Sequence, residues 1–219
     1  MNQQIRSDKY ENSRGKKFNG YLSLERNATL PYMLVVPENL EEGKELIVES
    51  LNFEGTDIIE KIVPHVIRNL KDSVEVICDA PILIPFTPYV KGGIPYYQQL
   101  SRECFVEATN GEYEIKYPRV DLQIIETIEK AKELIKIETG KEVKRKIFLN
   151  GYSSSGVFAQ RFALIHPEIV ERALIGGAAG SIPLPTTDFE YPLGIKDFNK
   201  LFGKEFNGDE YRRIKFACY

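Results

Sequence analysis

Tryptophan is absent from this 219-residue chain, and histidine and methionine occur only twice each. The three cysteines, Cys78, Cys104 and Cys218, are odd in number and widely spaced. That pattern argues against a disulfide framework and against a zinc site, and predicts reduced thiols of the kind kept in a cytoplasm. No run approaches the ~18 apolar residues a membrane span needs. The N-terminal stretch Met1 to Asp8 has no apolar core, so it does not read as a signal peptide. Charge of one sign is also missing: 29 basic residues oppose 32 acidic ones, for a net charge of −3. Neither a nucleic-acid partner nor an anionic membrane surface is expected from that balance. No cofactor or metal motif is present, and the expected location is cytoplasmic.

What remains is ordinary for a globular α/β chain, with 42% hydrophobic and 28% charged residues, enough for one sizeable domain. Residues 1–17 are polar and charged and read as a loose arm before a domain over 18–219. Strands are predicted over 18–24, 31–36, 45–51, 81–86, 172–177 and 214–219, with a turn at Arg26-Asn27-Ala28, and a further strand starts at Ile147 and leads to a turn at Ser153. A helix is expected from Ile58 to Leu70, with Pro64 a kink. A second spans Asp121 to Lys136, with Ile124, Ile128, Ala131 and Ile135 on one stripe. Shorter helices fall near 195–202 and 208–212. Alternating strands and helices predict a mostly parallel sheet covered by helices on both faces. The tyrosine-rich segment 87–118 reads as a long irregular loop, and such loops are usually functional.

The most informative stretch is Lys146 to Phe162. An apolar strand runs into Gly151-Tyr152-Ser153-Ser154-Ser155-Gly156, and that turn runs into a helix. Ser153 sits at the apex. A serine lifted above a sheet on such a turn is the layout of a nucleophile elbow. The turn forces its apex into a strained conformation, so residues two positions away must be small. Gly151 and Ser155 meet that demand around Ser153, whereas Ser154 would have Tyr152 in one of those places. The Ser154 N–H would then form half of an oxyanion hole, and the other half would come from the loop after the third strand, at Asn52 or Phe53. The plainer alternative is a serine-rich loop that merely caps a helix.

Gly151 to Pro167 resembles the elbow of α/β-hydrolase serine esterases, and Ala173 to Gly180 resembles the strand and loop that follow it. Tyr191-Pro192-Leu193-Gly194-Ile195-Lys196-Asp197-Phe198 resembles a segment of bacterial esterases related to polyhydroxybutyrate depolymerases. The resemblance covers about residues 30–219. It implies an α/β-hydrolase fold and hydrolysis of a small carboxylic ester through an acyl-enzyme on Ser153. Tyr89, Tyr96 and Tyr97 are then candidates for the acyl pocket.

The resemblance also calls for an acid and a histidine late in the chain, and nothing matches either. His166 lies thirteen residues beyond Ser153, ~20 Å along a helix, and reads as a helix-end residue. His65 lies ~12 Å down the earlier helix. Asp188, Asp197 and Asp209 precede the last strand, and none is assigned as the acid. These gaps predict a fold lacking its last strand and helix, little or no activity in this form, and self-association through the exposed C-terminal sheet edge. A degenerate domain with a binding role is the alternative, and another acyl transfer, as in a peptidase or acyltransferase, is a third reading.

Overall fold

A computed structural model describes residues 5–12, 15–24, 29–50, 52, 63–67, 79–90, 94–106, 115–178 and 183–219. The Arg26-Asn27-Ala28 turn, Phe53, Cys78 and most of the helix read over 58–70 lie outside them. Among the described residues, eight strands form one sheet: β1 (Ile5–Glu11), β2 (Lys17–Ser23), β3 (Tyr32–Pro37), β4 (Ile47–Glu49), β5 (Ile82–Pro85), β6 (Ile147–Tyr152), β7 (Val170–Gly176) and β8 (Lys215–Cys218). Their order is β1-β2-β3-β5-β4-β6-β7-β8. The pairings from β1 to β5 are antiparallel, and those from β5 through β4, β6 and β7 to β8 are parallel. Beyond β5, the described residues form the helices α1 (Val120–Thr139), α2 (Ser154–Ile165), α3 (Phe198–Phe202) and α4 (Gly208–Arg213).

Side chains alternate across a strand, and the core divides accordingly. Leu34, Val36, Val48, Leu83 and Leu149 face the layer that holds the buried stripe of α1 and Phe158, Ala159 and Phe162 of α2. Met33, Val35, Ile47, Ile82 and Ile84 face the other side, where Val66 of a helical turn at 63–67 packs. The sheet is therefore covered on both faces, as the sequence predicts. All four stripe residues of α1 are essentially unexposed.

Two elements differ from the sequence reading. Residues 5–11, read as part of a loose arm, pair along their whole length with β2, from Ile5 opposite Ser23 to Glu11 opposite Lys17. An outer strand is held by its backbone ladder and needs no apolar pattern, and charged side chains suit that position. The strand expected over 45–51 is only three residues long. At the other margin, all four residues of β8 are exposed, and Phe216 shows 42% of its surface. No helix among the described residues is long and apolar enough to cross a membrane.

Candidate active site

Between β6 and α2 stands one residue, Ser153, with φ 58° and ψ −119°. A non-glycine residue there costs on the order of 1–3 kcal/mol and persists only where its surroundings over-determine it. Three contacts do so. The Ser153 N–H donates to the Gly176 carbonyl at the end of β7 (2.8 Å), and the Val157 N–H donates to the Ser153 carbonyl (3.1 Å). Buried Ser155 donates its hydroxyl to the Tyr152 carbonyl (2.9 Å) and accepts from the Tyr152 N–H (2.8 Å). The small neighbours have a steric cause. A Cβ on Gly151 would lie 2.2 Å from the Ser155 carbonyl oxygen, and one on Gly156 would lie 2.9 Å from that of Gly176. Ser153 itself is exposed, and its side chain makes no cap bond to the helix it begins.

Asn52, just past the end of β4, reaches this turn with its side chain. Its Nδ2 donates to the Tyr152 carbonyl (2.6 Å), and its Oδ1 accepts from the Ser155 N–H (2.7 Å). Ser154 occupies the first position of α2, where a helix leaves N–H groups without intrahelical partners, and its hydroxyl accepts from Gln99 Nε2 (2.9 Å). Gln99 was not singled out from the sequence. It lies in a 3₁₀ turn, Tyr97–Gln99, and its carbonyl accepts from Arg161 of α2 (3.0 Å).

The three tyrosines proposed to shape a pocket separate. Tyr96 is exposed and Tyr89 half-buried. Tyr97 is fully buried, edge-to-face with Tyr117 at 5.5 Å, and its hydroxyl accepts from the Tyr117 N–H (3.3 Å). It belongs to the core. A cavity of about 280 Å³ lies elsewhere, among Leu30, Pro31, Phe86, Lys116, Tyr117 and Gln123.

Neither histidine is brought to Ser153. His166 follows the last turn of α2 and is 1% exposed. Its Nε2 lies 2.8 Å from Asp121 Oδ2, and its Nδ1 faces Lys204 Nζ (3.1 Å) and Glu168 Oε1 (3.3 Å). Arg119 completes the cluster with two bonds to Asp121, at 3.0 and 2.9 Å. Burial pushes the Asp121 carboxyl up, but the His166 and Arg119 hydrogen bonds outweigh it and hold the group at about 2. His65 is exposed on the 63–67 turn, whose neighbouring Val66 packs on the other face of the sheet from α2. Of the acids considered, Asp197 pairs with Arg102 (2.5 Å), Asp209 with Arg212, and Asp188 bonds Thr186 (2.8 Å). Glu49, at the end of β4, was not considered; burial pushes its carboxyl up against the lowering effect of a bond from Asn150.

No family model and no curated protein matches the chain. Solved structures do. The LpqC poly(3-hydroxybutyrate) depolymerase from Bordetella parapertussis superposes with a TM-score of 0.53 at 16% identity, covering 93% of this chain and 65% of that one. An S-formylglutathione hydrolase from Agrobacterium tumefaciens gives 0.45 at 15% identity, over 98% of this chain and 73% of that one. The chain thus spans just under two-thirds of the depolymerase's length. Its strand order and the superposition on that enzyme are those of an α/β-hydrolase fold.

Proposed function

We propose that the chain carries the nucleophile half of a serine carboxylic-ester hydrolase, with Ser153 as the attacking residue. The observation that carries this reading is the strained, exposed Ser153 on a strand–helix turn, packed between residues that leave no room for a Cβ. The name of the depolymerase agrees with an ester substrate. In the reaction, Ser153 Oγ attacks the ester carbonyl carbon while a base takes its proton. The oxyanion that forms accepts from the Ser154 N–H at the start of α2, where the helix dipole favours negative charge. Collapse expels the alcohol, which takes up that proton, and water then releases the acid from Ser153.

The base is the missing part. His166 is engaged by Asp121 at the far end of α2, and His65 sits on a helical turn against the opposite face. In a serine protease, loss of the histidine costs roughly six orders of magnitude in turnover. The 219 residues alone are therefore expected to hydrolyse an activated ester only in traces. The same observation favours a second reading, a degenerate domain that binds a ligand or partner without turnover.

The test is hydrolysis of p-nitrophenyl acetate by the wild type, Ser153→Ala and Ser154→Ala. Ser153→Ala removes whatever turnover exists, and Ser154→Ala has a smaller effect, because Ser154 acts through its backbone. Equal loss in both variants would place the nucleophile one residue away. Robust wild-type turnover that vanishes in Ser153→Ala would reveal a base elsewhere in the chain. Turnover unchanged in Ser153→Ala would refute Ser153 as the nucleophile.

A further inference from the structure

A serine at a helix N-cap ordinarily spends its hydroxyl. The side-chain oxygen accepts from the N–H of the second or third helical residue, satisfying one of the donors the helix leaves open. Ser153 is the N-cap of α2 and makes no such bond. The second helical residue is Ser155, and its N–H is already taken by Asn52 Oδ1 at 2.7 Å, across 103 residues of sequence. The other end of the same amide, Nδ2, donates to the Tyr152 carbonyl at 2.6 Å. Those two bonds fix the orientation of the side chain, since turning it over would set a donor against a donor and an acceptor against an acceptor. They also bracket Ser153, holding the residue before it and the residue two after it.

We propose that Asn52 is a positioning residue: its side chain caps α2 in place of Ser153 and so leaves the Ser153 hydroxyl unspent for chemistry. The inference rests on Ser153 being the nucleophile. It gives Asn52 a different task from donating to the oxyanion. With the Ser155 N–H occupied by Asn52 Oδ1, the Ser154 N–H keeps the role of oxyanion donor assigned to it above. Without the Asn52 carboxamide, the Ser155 N–H loses its acceptor, and Ser153 Oγ can meet it once the turn relaxes from φ 58°, ψ −119° toward the extended backbone of an ordinary N-cap; a serine that caps its own helix must give up that bond before it can attack.

The experiment is labelling of Ser153 by an alkyl fluorophosphonate, with free imidazole in the buffer as the base. Ser153 Oγ attacks phosphorus, fluoride leaves, and imidazole takes the proton. Rates are compared for the wild type, Asn52→Ala and Asn52→Asp, with thermal unfolding of each as a control. Asn52→Ala is expected to label at least about tenfold more slowly. Asn52→Asp keeps the acceptor for Ser155 but sets its second oxygen against the Tyr152 carbonyl, so it is expected to recover part of that rate and to label measurably faster than Asn52→Ala. A general loss of structure would not be repaired by that second variant. Equal labelling of Asn52→Ala and wild type would overturn the proposal.

Hydrogen exchange of the wild type gives a reading that needs no variant to fold. The Ser155 amide should be protected although it has no acceptor within the helix. If it exchanges as fast as the Ser154 amide, the cap does not exist and the proposal falls. Ser153→Ala separates the two ideas, because a label that persists there refutes the nucleophile while Ser155 protection still reports on the cap.

Discussion

Replacing Asp121 by asparagine removes one negative charge from the buried cluster that joins the start of α1 to the end of α2. The carboxylate is fully buried and receives Arg119 through two bonds and His166 through one. Arg119 also donates to the Phe202 carbonyl of α3 (3.2 Å), so the cluster links three helices. Taking one partner from a buried ion pair costs about 3–5 kcal/mol. Asparagine keeps one acceptor, which puts the expected loss at neutral pH at about 2–4 kcal/mol.

The pH dependence of that loss follows from the carboxyl itself. Its value falls from 3.8 to about 2 on folding. A depressed carboxyl stabilises the fold above its unfolded value and loses that contribution as pH falls through its folded value. The drop corresponds to about 2 kcal/mol, present above pH 4 and lost toward pH 2. Glu168 also descends to about 2; burial pushes it up, and the bonds from His166 and Lys204 bring it down. Its side chain is 41% exposed, so screening reduces its contribution, and it is common to both proteins. Urea unfolding of the wild type and Asp121→Asn, followed by circular dichroism between pH 7 and 2.5, measures the difference. The gap should narrow by about 2 kcal/mol over that range. A gap that stays constant, or one under about 0.5 kcal/mol at pH 7, would refute the reasoning.

Two further outcomes are expected. Burial pushes the Cys104 thiol up to about 12, with a bond to Ser101 opposing it, whereas Cys218 is exposed. Iodoacetamide at pH 8 followed by peptide mapping should therefore modify Cys218 and spare Cys104 until the protein is unfolded, and comparable rates at the two sites would contradict this. The outer edge of β8 shows Phe216, and Tyr219 beyond it is 65% exposed. Apolar sheet edges recruit further chains, so light scattering should show self-association that Phe216→Glu reduces, and a clean monomer at high concentration would argue against the edge as a contact.

Much of the fold was legible because the sheet is buried on both sides. Apolar runs such as Tyr32 to Val36 and Ile82 to Ile84 announce interior strands, and the stripe of α1 announces the layer over them. The strained turn at Ser153 was legible because steric exclusion is local: Gly151, Ser155 and Gly156 stand within three residues of it. β1 was not, since an outer strand is held by backbone bonds that leave no side-chain signature. Tyr97 was placed in a pocket because a tyrosine's identity says nothing about which way its ring turns. Asn52 was noticed for its loop position, but the bonds of its side chain join residues a hundred positions apart. Gln99 to Ser154 and Asp121 to His166 escaped for the same reason.

The order of the strands sets a timetable for synthesis. β1, β2 and β3 pair with neighbours in sequence and can close as they emerge. β4 cannot, because both its partners, β5 and β6, come later, and it is only three residues long. The amide that grips the serine turn follows β4 directly and waits for a carbonyl 100 residues downstream. At about 5–20 residues per second, that interval is roughly 5–20 s; β4 meets its partner β5 early in it, but Asn52 has left the ribosome long before either of its hydrogen-bond partners exists. The turn around Ser153 is thus assembled late, from one strand that has been waiting and another that has just arrived.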